Sequence, residues 1–189
     1  MPSVSSVTIC SNALLALGAS PINSFDEPYD FARLCANKYP TIRDSVLRSH
    51  PWGCATKRVI LSPETDSPPF GFKFQFPLPG DLLRILSVGE EGRHIRYRVE
   101  GRLILADVNL LPLRYIWRND DESSWDSMLI RATEITVAAE IAYAVTASSS
   151  MAQLMEQKAQ LIMQQARTYD SQEEPPETLY GTPSYDARF

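Results

Sequence analysis

Apolar residues recur every three or four positions in four stretches of the chain, which is the spacing of the buried side of a helix. The sequence therefore predicts two N-terminal helices, at about residues 5–18 and 27–50, and two C-terminal helices, at about residues 125–146 and 149–169. Serines at the start of the first stretch, Ser5 among them, are suited to cap that helix. The third helix is rich in alanine, and we expect it to be central because small side chains allow close helix contacts.

The second helix contains one proline and stops before another. Pro40 lacks a backbone N–H, so we expect it to kink this helix or split it in two. Pro51 disfavours a helical conformation at His50, and the helix is predicted to end there. Trp52 follows the break, and we expect its indole to fill the seam between the helix and the strand that begins near Lys57.

Between the two pairs of helices, apolar and polar residues alternate with a period of two, which is typical of strands. Turn residues divide residues 57–117 into short strands, so we predict an antiparallel β meander. Residues 70–76 hold four phenylalanines at alternate positions, a row that we expect the helices to cover. An aromatic row can also stack nucleic-acid bases, but no basic face lies beside this one.

The predicted fold class is α+β, with a body of residues 1–169 in which a four-helix bundle packs against the β meander. Residues 170–189 are expected to form an acidic extended arm, because they hold five acids against one arginine and show no helical period. Such a segment cannot bury enough apolar surface to fold alone. It still carries spaced side chains that could anchor it on a partner: Leu179, Tyr180, Tyr185, Arg188 and Phe189. The alternative is a tail without a role.

Three arginines mark a second candidate partner surface. Arg93, Arg96 and Arg98 lie on one predicted hairpin, and Arg96 and Arg98 share a face of its strand. One interpretation is an ordinary solvated face. The other is contact with an acidic partner surface or with passing DNA.

Charge and composition narrow the class of protein. The net charge is −5, and most of it belongs to residues 170–189, so the body is nearly neutral. That balance argues against a domain whose main task is to grip nucleic acid, since such affinity comes from Lys and Arg on phosphates. No run approaches the roughly 18 apolar residues of a membrane span, and the N-terminus lacks the pattern of a signal peptide. We therefore expect a soluble protein made in a cytoplasm, with Cys10, Cys35 and Cys54 reduced.

The sequence offers little for catalysis. It has only two histidines, His50 and His94, and shows no serine-nucleophile motif, Gly-rich phosphate loop or metal-ligand spacing. Cys54 lies near His50, which is superficially a thiol–imidazole pair, but a catalytic pair needs an orienting third group and an activated thiol. We expect no enzyme and no cofactor, and keep an enzyme built on Cys54 and His50 as the least favoured hypothesis.

A series of junction motifs carries a family resemblance. In order along the chain these are Tyr39-Pro40, Arg43-Asp44, Leu47-Arg48, His50-Pro51-Trp52 and Ala55-x-x-Arg58, then the Phe-rich stretch and Phe76-Pro77-Leu78-Pro79-Gly80-Asp81. Over about residues 5–170 the chain resembles the tail tubular protein A family, the head-to-tail adaptors of short-tailed phages and their relatives. It departs from the family pattern at Cys54, where relatives often have an aromatic residue.

The resemblance implies a structural virion protein. Proteins of this kind form a ring, usually of twelve copies, that docks under the portal and connects it to a tail or nozzle protein. DNA passes through the ring without specific binding. The C-terminal arm would reach the portal or a neighbouring subunit, and the protein would lie in the host cytoplasm before assembly. The alternative is a non-viral module of the same α+β fold that binds another protein.

Overall fold

The structure is a computed structural model, which describes residues 4–90 and 94–173 of the chain. These residues contain four α-helices: α1 (Ser6–Ala16), α2 (Asp30–Arg48), α3 (Ser127–Thr146) and α4 (Ser149–Glu173). All four lie where the apolar spacing predicted helices, and Ser5 caps the first by accepting a hydrogen bond from the Thr8 amide. With the strands described next, they confirm the predicted α+β class.

The described strands form two antiparallel sheets of three strands each. Their bounds are β1 (Thr56–Leu61), β2 (Phe74–Pro77), β3 (Leu82–Val88), β4 (Tyr97–Glu100), β5 (Leu103–Ala106) and β6 (Leu111–Trp117). The central sheet has the order β1–β6–β3, and the outer sheet has the order β2–β5–β4. The strands are antiparallel as predicted, but they are divided between two sheets and do not form one continuous meander.

The two sheets and the helices form three layers. Ile116 of β6 belongs to the larger core, which the four helices share, and Leu83 and Leu86 of β3 pack against it. Leu113 and Tyr115 of β6 belong to a smaller core that the central sheet shares with the outer sheet. Because successive side chains of a strand point to opposite faces, β6 supplies both cores, and the central sheet lies between the helices and the outer sheet.

Helix α3 is the central helix, as its composition predicted. It packs against α1, α2 and α4. Ala132, Ala138 and Ala142 are fully buried on it, and their small side chains leave room for the neighbouring helices to approach closely. Asp126 caps this helix by accepting hydrogen bonds from the amides of Met128 and Leu129.

Of the two outcomes expected at Pro40, a kink or a split, the split does not occur. Helix α2 is continuous from Asp30 to Arg48 and includes Pro40, whose side chain is exposed. Tyr39, Ile42 and Val46 are buried on the opposite side. Packing of this apolar side holds the two halves of the helix against the same core, and it outweighs the single hydrogen bond that Pro40 cannot donate.

The row of phenylalanines is only partly a strand, and the helices do not cover it. The strand begins at Phe74, and Phe70 lies before it and is 85 % exposed. Phe76 is fully buried in the smaller core beside Ile104 and Leu113. The covering layer is therefore the central sheet, because the outer sheet can stack only on the face that the helices leave free.

The first four residues of the predicted arm belong to helix α4. Helix α4 continues to Glu173, four residues beyond the predicted end of the body at residue 169. Its buried residues Met155, Ala159, Ile162 and Ala166 follow a stripe that leads to Asp170. The remaining arm, residues 174–189, lies outside the described residues, and so do the anchors predicted on it.

Two members of the phenylalanine row give a matched stability test. We expect Phe76→Ala to lower the free energy of unfolding by about 3–5 kcal/mol, because it removes a fully buried ring and leaves a cavity. Phe70→Ala should change it by no more than about 0.5 kcal/mol, since that ring is exposed. Urea unfolding followed by circular dichroism measures both, and equal losses would contradict the layer arrangement.

Candidate functional site

The helix-to-strand junction after α2 is held by Trp52. The indole is fully buried, and its Nε1 donates a hydrogen bond to the Val46 carbonyl at 3.0 Å. The Thr56 hydroxyl donates to the Trp52 carbonyl at 3.0 Å, which fixes the start of β1. The predicted role of Trp52 as the filler of this seam is confirmed.

Helix α4 is tied to the same junction through Asp170. Its carboxylate accepts a hydrogen bond from His50 Nε2 at 2.8 Å and another from the Gly53 amide at 3.2 Å. The side chains of His50 and Asp170 are only 15 % and 13 % exposed, and the His50 ring packs edge-on against Trp52 with centroids 4.6 Å apart. The contact closes the last turn of α4 onto the end of α2.

The sequence analysis missed this contact because it placed Asp170 in the arm. The position could have been found, since Asp170 is four residues after Ala166 and continues the spacing of the buried stripe of α4. A carboxylate at a buried-stripe position needs a partner. The sequence does not say that the partner is His50, 120 residues away.

The Pro-rich turn before β3 is anchored in the same way. Asp81 accepts hydrogen bonds from Lys57 Nζ at 3.0 Å and from the Tyr115 hydroxyl at 3.1 Å. Lys57 also lies over the Trp117 ring, 3.4 Å from its centroid. Burial, together with the hydrogen bond to Asp81, raises the pKa of Tyr115 to about 12. The turn is thus fastened to both β1 and β6.

The helical layer also contains a hydrogen bond between a tyrosine and a buried acid. Tyr39 donates a hydrogen bond to Glu122 Oε1 at 2.8 Å, and Glu122 is only 7 % exposed. Burial, and then the charge of Glu122, raise the pKa of Tyr39 well above its ordinary value. Nothing in the sequence pattern indicated this pair, because the two residues belong to separate elements.

Cys54 and His50 do not form an activated thiol–imidazole pair in this geometry. Burial, together with the charges of Asp126 and Asp170, raises the pKa of the Cys54 thiol to about 12. A nucleophilic cysteine needs the opposite shift. His50 Nε2 is engaged with Asp170, which serves the junction.

A concave surface lies at the far end of the central sheet, where the helices no longer cover it. Arg58 and Arg114 are directly opposite each other on β1 and β6, and so are Ile60 and Pro112. The side chains of these residues are on the same face of the sheet as Ile116. The helices cover this face around Ile116 but not at its far end. Together with Glu90 they line an open cavity of about 420 Å³.

A second cavity of about 440 Å³ adjoins the first and shares Ile60 with it. It adds His94, Arg96 and Leu110 to the lining. Ile60 and Leu110 are 64 % and 58 % exposed. We refer to the two cavities together as the distal groove, a surface that is apolar along its floor and carries basic side chains at both ends.

Helix α4 presents a different exposed surface. Leu154 and Leu161 lie seven residues apart, hence on one side of the helix, and Tyr169 follows about two turns later; each is more than half exposed. Gln164, Gln165 and Gln172 lie beside Leu161 and Tyr169. We refer to this as the α4 surface, which is apolar and rich in glutamine and includes the exposed Lys158 between the two leucines.

The predicted arginine face is only partly assembled. Arg98 lies on β4, 71 % exposed, with its Nε 3.4 Å from the Glu100 carboxylate. Arg96 precedes β4 and lies over the Phe72 ring at 4.7 Å, at the end of the distal groove. Arg93 lies outside the described residues, and so do Leu179, Tyr180, Tyr185, Arg188 and Phe189. A role of these side chains in partner binding stays a prediction.

Within residues 4–90 and 94–173, no helix is long and apolar enough to cross a membrane, and no three His, Cys, Asp or Glu side chains form a group that could hold a metal ion. No family model matches the chain, and no curated protein is significantly similar to it in sequence. The junction, the distal groove and the α4 surface are therefore the features from which a function must be argued.

The contact between α4 and the junction predicts a measurable stability effect. Asp170→Ala removes two hydrogen-bond acceptors from a partly buried site, and we expect it to lower the free energy of unfolding by about 1–3 kcal/mol. Glu173→Ala, on an exposed position of the same helix, is the control and should change it by less than about 0.5 kcal/mol. Urea unfolding measures both, and equal effects would refute a structural role for Asp170.

The raised pKa of Cys54 predicts a slow thiol. At pH 8 the folded protein should react with a disulfide reagent at Cys54 at least about 100-fold more slowly than the unfolded chain, because the protonated thiol is a poor nucleophile. The rate assigned to Cys54 is the one that Cys54→Ser removes. A fast reaction at pH 8 in the folded protein would revive the enzyme hypothesis.

Proposed function

We propose that this protein is a head-to-tail adaptor of a bacteriophage virion. Copies of it would form a ring, which docks under the portal and connects it to a tail or nozzle protein while leaving a channel for DNA. The observation that carries the proposal is that several motif residues of the family resemblance, among them His50, Trp52 and Asp81, make hydrogen bonds that hold elements of the fold together.

Three of those motif residues join elements of the fold. Trp52 bonds to the end of α2, His50 to the end of α4, and Asp81 to two strands of the central sheet. A connector that transmits position between two larger assemblies needs its layers held at fixed relative positions. Contacts of this kind support such a mechanical role better than they support chemistry.

The exposed surfaces support assembly from many copies. The distal groove and the α4 surface lie on different elements and differ in chemistry, since the groove is lined by apolar residues and charged residues of both signs and the α4 surface by apolar residues and glutamines. Large exposed apolar side chains that cluster commonly mark interaction sites. Two unlike surfaces on one chain suit head-to-tail contacts, which close into rings when the rotation between subunits allows it.

The charge distribution is compatible with a conduit for DNA. Outside residues 170–189 the acids and bases nearly balance, so the body has no large excess of the positive charge that binds phosphates. Weak attraction would let DNA pass through the channel. No residue of this chain is assigned to the channel wall.

Electron microscopy of the purified protein, with and without its portal, tests the proposal. We expect rings, either from the protein alone or after portal is added. The control is an unrelated protein of similar size mixed with the same portal. A monomer that stays a monomer and leaves the portal unchanged would overturn the adaptor proposal, and would favour a module that binds another protein.

A further inference from the structure

The two sheets have four edge strands, and these differ in how their free edges are protected. β1 and β3 are the edges of the central sheet, and β2 and β4 are the edges of the outer sheet. The unpaired backbone groups of an edge strand can bond to a strand of another chain, and proteins commonly block them with proline, bulges, basic side chains or a covering segment.

The free edge of β2 is closed. The Glu64 amide donates a hydrogen bond to the Gln75 carbonyl at 2.8 Å, so the backbone groups of Gln75 point away from β5. Pro77 lies two residues further along, on the same edge of the strand, and has no N–H to offer. A further strand therefore has little to bond to on this side.

The edges of the central sheet are protected in other ways. Leu83 of β3 lies at a shift in the register, and its carbonyl accepts a hydrogen bond from the Arg48 guanidinium. β1 carries Lys57 and Arg58 at adjacent positions. Basic side chains on an edge strand discourage pairing with another chain.

The free edge of β4 is open among the described residues. All four of its residues are exposed, and its ladder with β5 has neither proline nor bulge. Hydrogen-bonded and non-hydrogen-bonded pairs alternate along an antiparallel ladder. Since Gln75 points away from β5, its opposite residue Leu105 bonds to Arg98 on the other side. The N–H and C=O groups of Tyr97 and Val99 are therefore the ones on the free edge.

The apolar face of the outer sheet also continues onto β4. Val99 lies opposite Ile104, and Tyr97 lies opposite Ala106. Ile104 and Ala106 are fully buried in the smaller core, whereas Tyr97 and Val99 are each 43 % exposed. Opposite residues share a face of the sheet, so Tyr97 and Val99 extend the buried face beyond the part that is covered.

The other face of β4 carries one charge of each sign. Arg98 and Glu100 are 71 % and 57 % exposed, and they lie 3.4 Å apart. When a second β4 runs antiparallel with Val99 opposite Val99, Arg98 of each copy lies opposite Glu100 of the other. Only one other register matches the outward-pointing groups over three residues, and it places the two Arg98 side chains opposite each other, where like charges repel.

We propose that two copies of this protein pair antiparallel along β4 and join their outer sheets into one sheet of six strands. The two Val99 residues lie on the two-fold axis and exchange two backbone hydrogen bonds. Tyr97 packs diagonally on Val99 of the other copy. The contact therefore uses the free backbone groups, the exposed apolar side chains and both charges of the strand.

This inference goes beyond the adaptor proposal and does not rest on it. A two-fold contact closes when two copies have met, whereas a ring needs a contact that repeats from one subunit to the next. The test below reads the proximity of two β4 strands in the absence of portal, so either proposal can fail while the other holds.

Disulfide trapping between two single-cysteine variants of the full-length chain tests the inference. Arg98→Cys and Glu100→Cys are made separately in a Cys54→Ser background; Cys10 and Cys35 are buried. Residues 98 and 100 would form a non-hydrogen-bonded pair across the axis, which has the Cα separation that a disulfide needs. Under mild oxidation we expect the mixture to form linked dimers at least about fivefold faster than either variant alone.

The matched control mixes Glu100→Cys with Arg58→Cys, whose cysteine lies at an exposed position on the edge strand of the other sheet. This mixture should react no faster than its separate components. Non-reducing gels measure the linked dimer, and circular dichroism confirms that each variant is folded.

A charge exchange gives a second measurement. Arg98→Glu places two acids opposite each other at both ends of the contact, and we expect it to weaken the dimer at least about tenfold in sedimentation velocity. The double variant Arg98→Glu/Glu100→Arg restores opposite charges and should return to within about threefold of the original dissociation constant. Arg58→Glu should leave that constant unchanged.

Three results would overturn the inference. The first is a mixture that links no faster than its components, which would mean that the two β4 strands do not meet. The second is fast linking of Arg98→Cys by itself, which would place Arg98 opposite Arg98. The third is a double variant that associates as weakly as Arg98→Glu, which would mean that the charges of β4 do not face each other across the contact.

Discussion

The structure depends on a central sheet that is buried on both of its faces. On β6, Ile116 packs into the core shared with the helices, while Leu113 and Tyr115 pack into the core shared with the outer sheet. This strand therefore contributes to both cores. A sheet with two apolar faces must be covered twice, and this requirement explains why the helices pack on one face of the central sheet and the outer sheet on the other.

The second constraint is the junction at which the helical layer meets the central sheet. Trp52 fills the gap left where α2 ends, and Asp170 brings α4 to the same point through His50 and the Gly53 amide. The N-terminal and C-terminal helices are thereby joined at one place, next to the first residues of β1. Partly buried hydrogen bonds of this kind favour one arrangement of the layers over others, since an unpaired carboxylate there would be costly.

The functional argument follows from where the polar groups are used. Tyr39 is paired with Glu122, and Asp170 is paired with His50 and the Gly53 amide, while burial and nearby acids raise the pKa of the Cys54 thiol. The distal groove and the α4 surface are two exposed apolar surfaces of the described residues. They are the basis of the proposal that the protein binds other proteins and further copies of itself.

The sequence by itself determined the elements: four helices, antiparallel strands, the end of α2 shortly before Pro51 and the filling role of Trp52. These follow from local spacing and from proline chemistry, which depend only on neighbouring residues. Tertiary structure decided the rest. Pro40 stays helical because Tyr39 and Ile42 are buried beside it, Phe76 and Phe70 differ because only one lies under the central sheet, and Asp170 finds His50 across 120 residues. Pairings between distant residues depend on which layers pack together, and the local sequence pattern does not specify which layers these are.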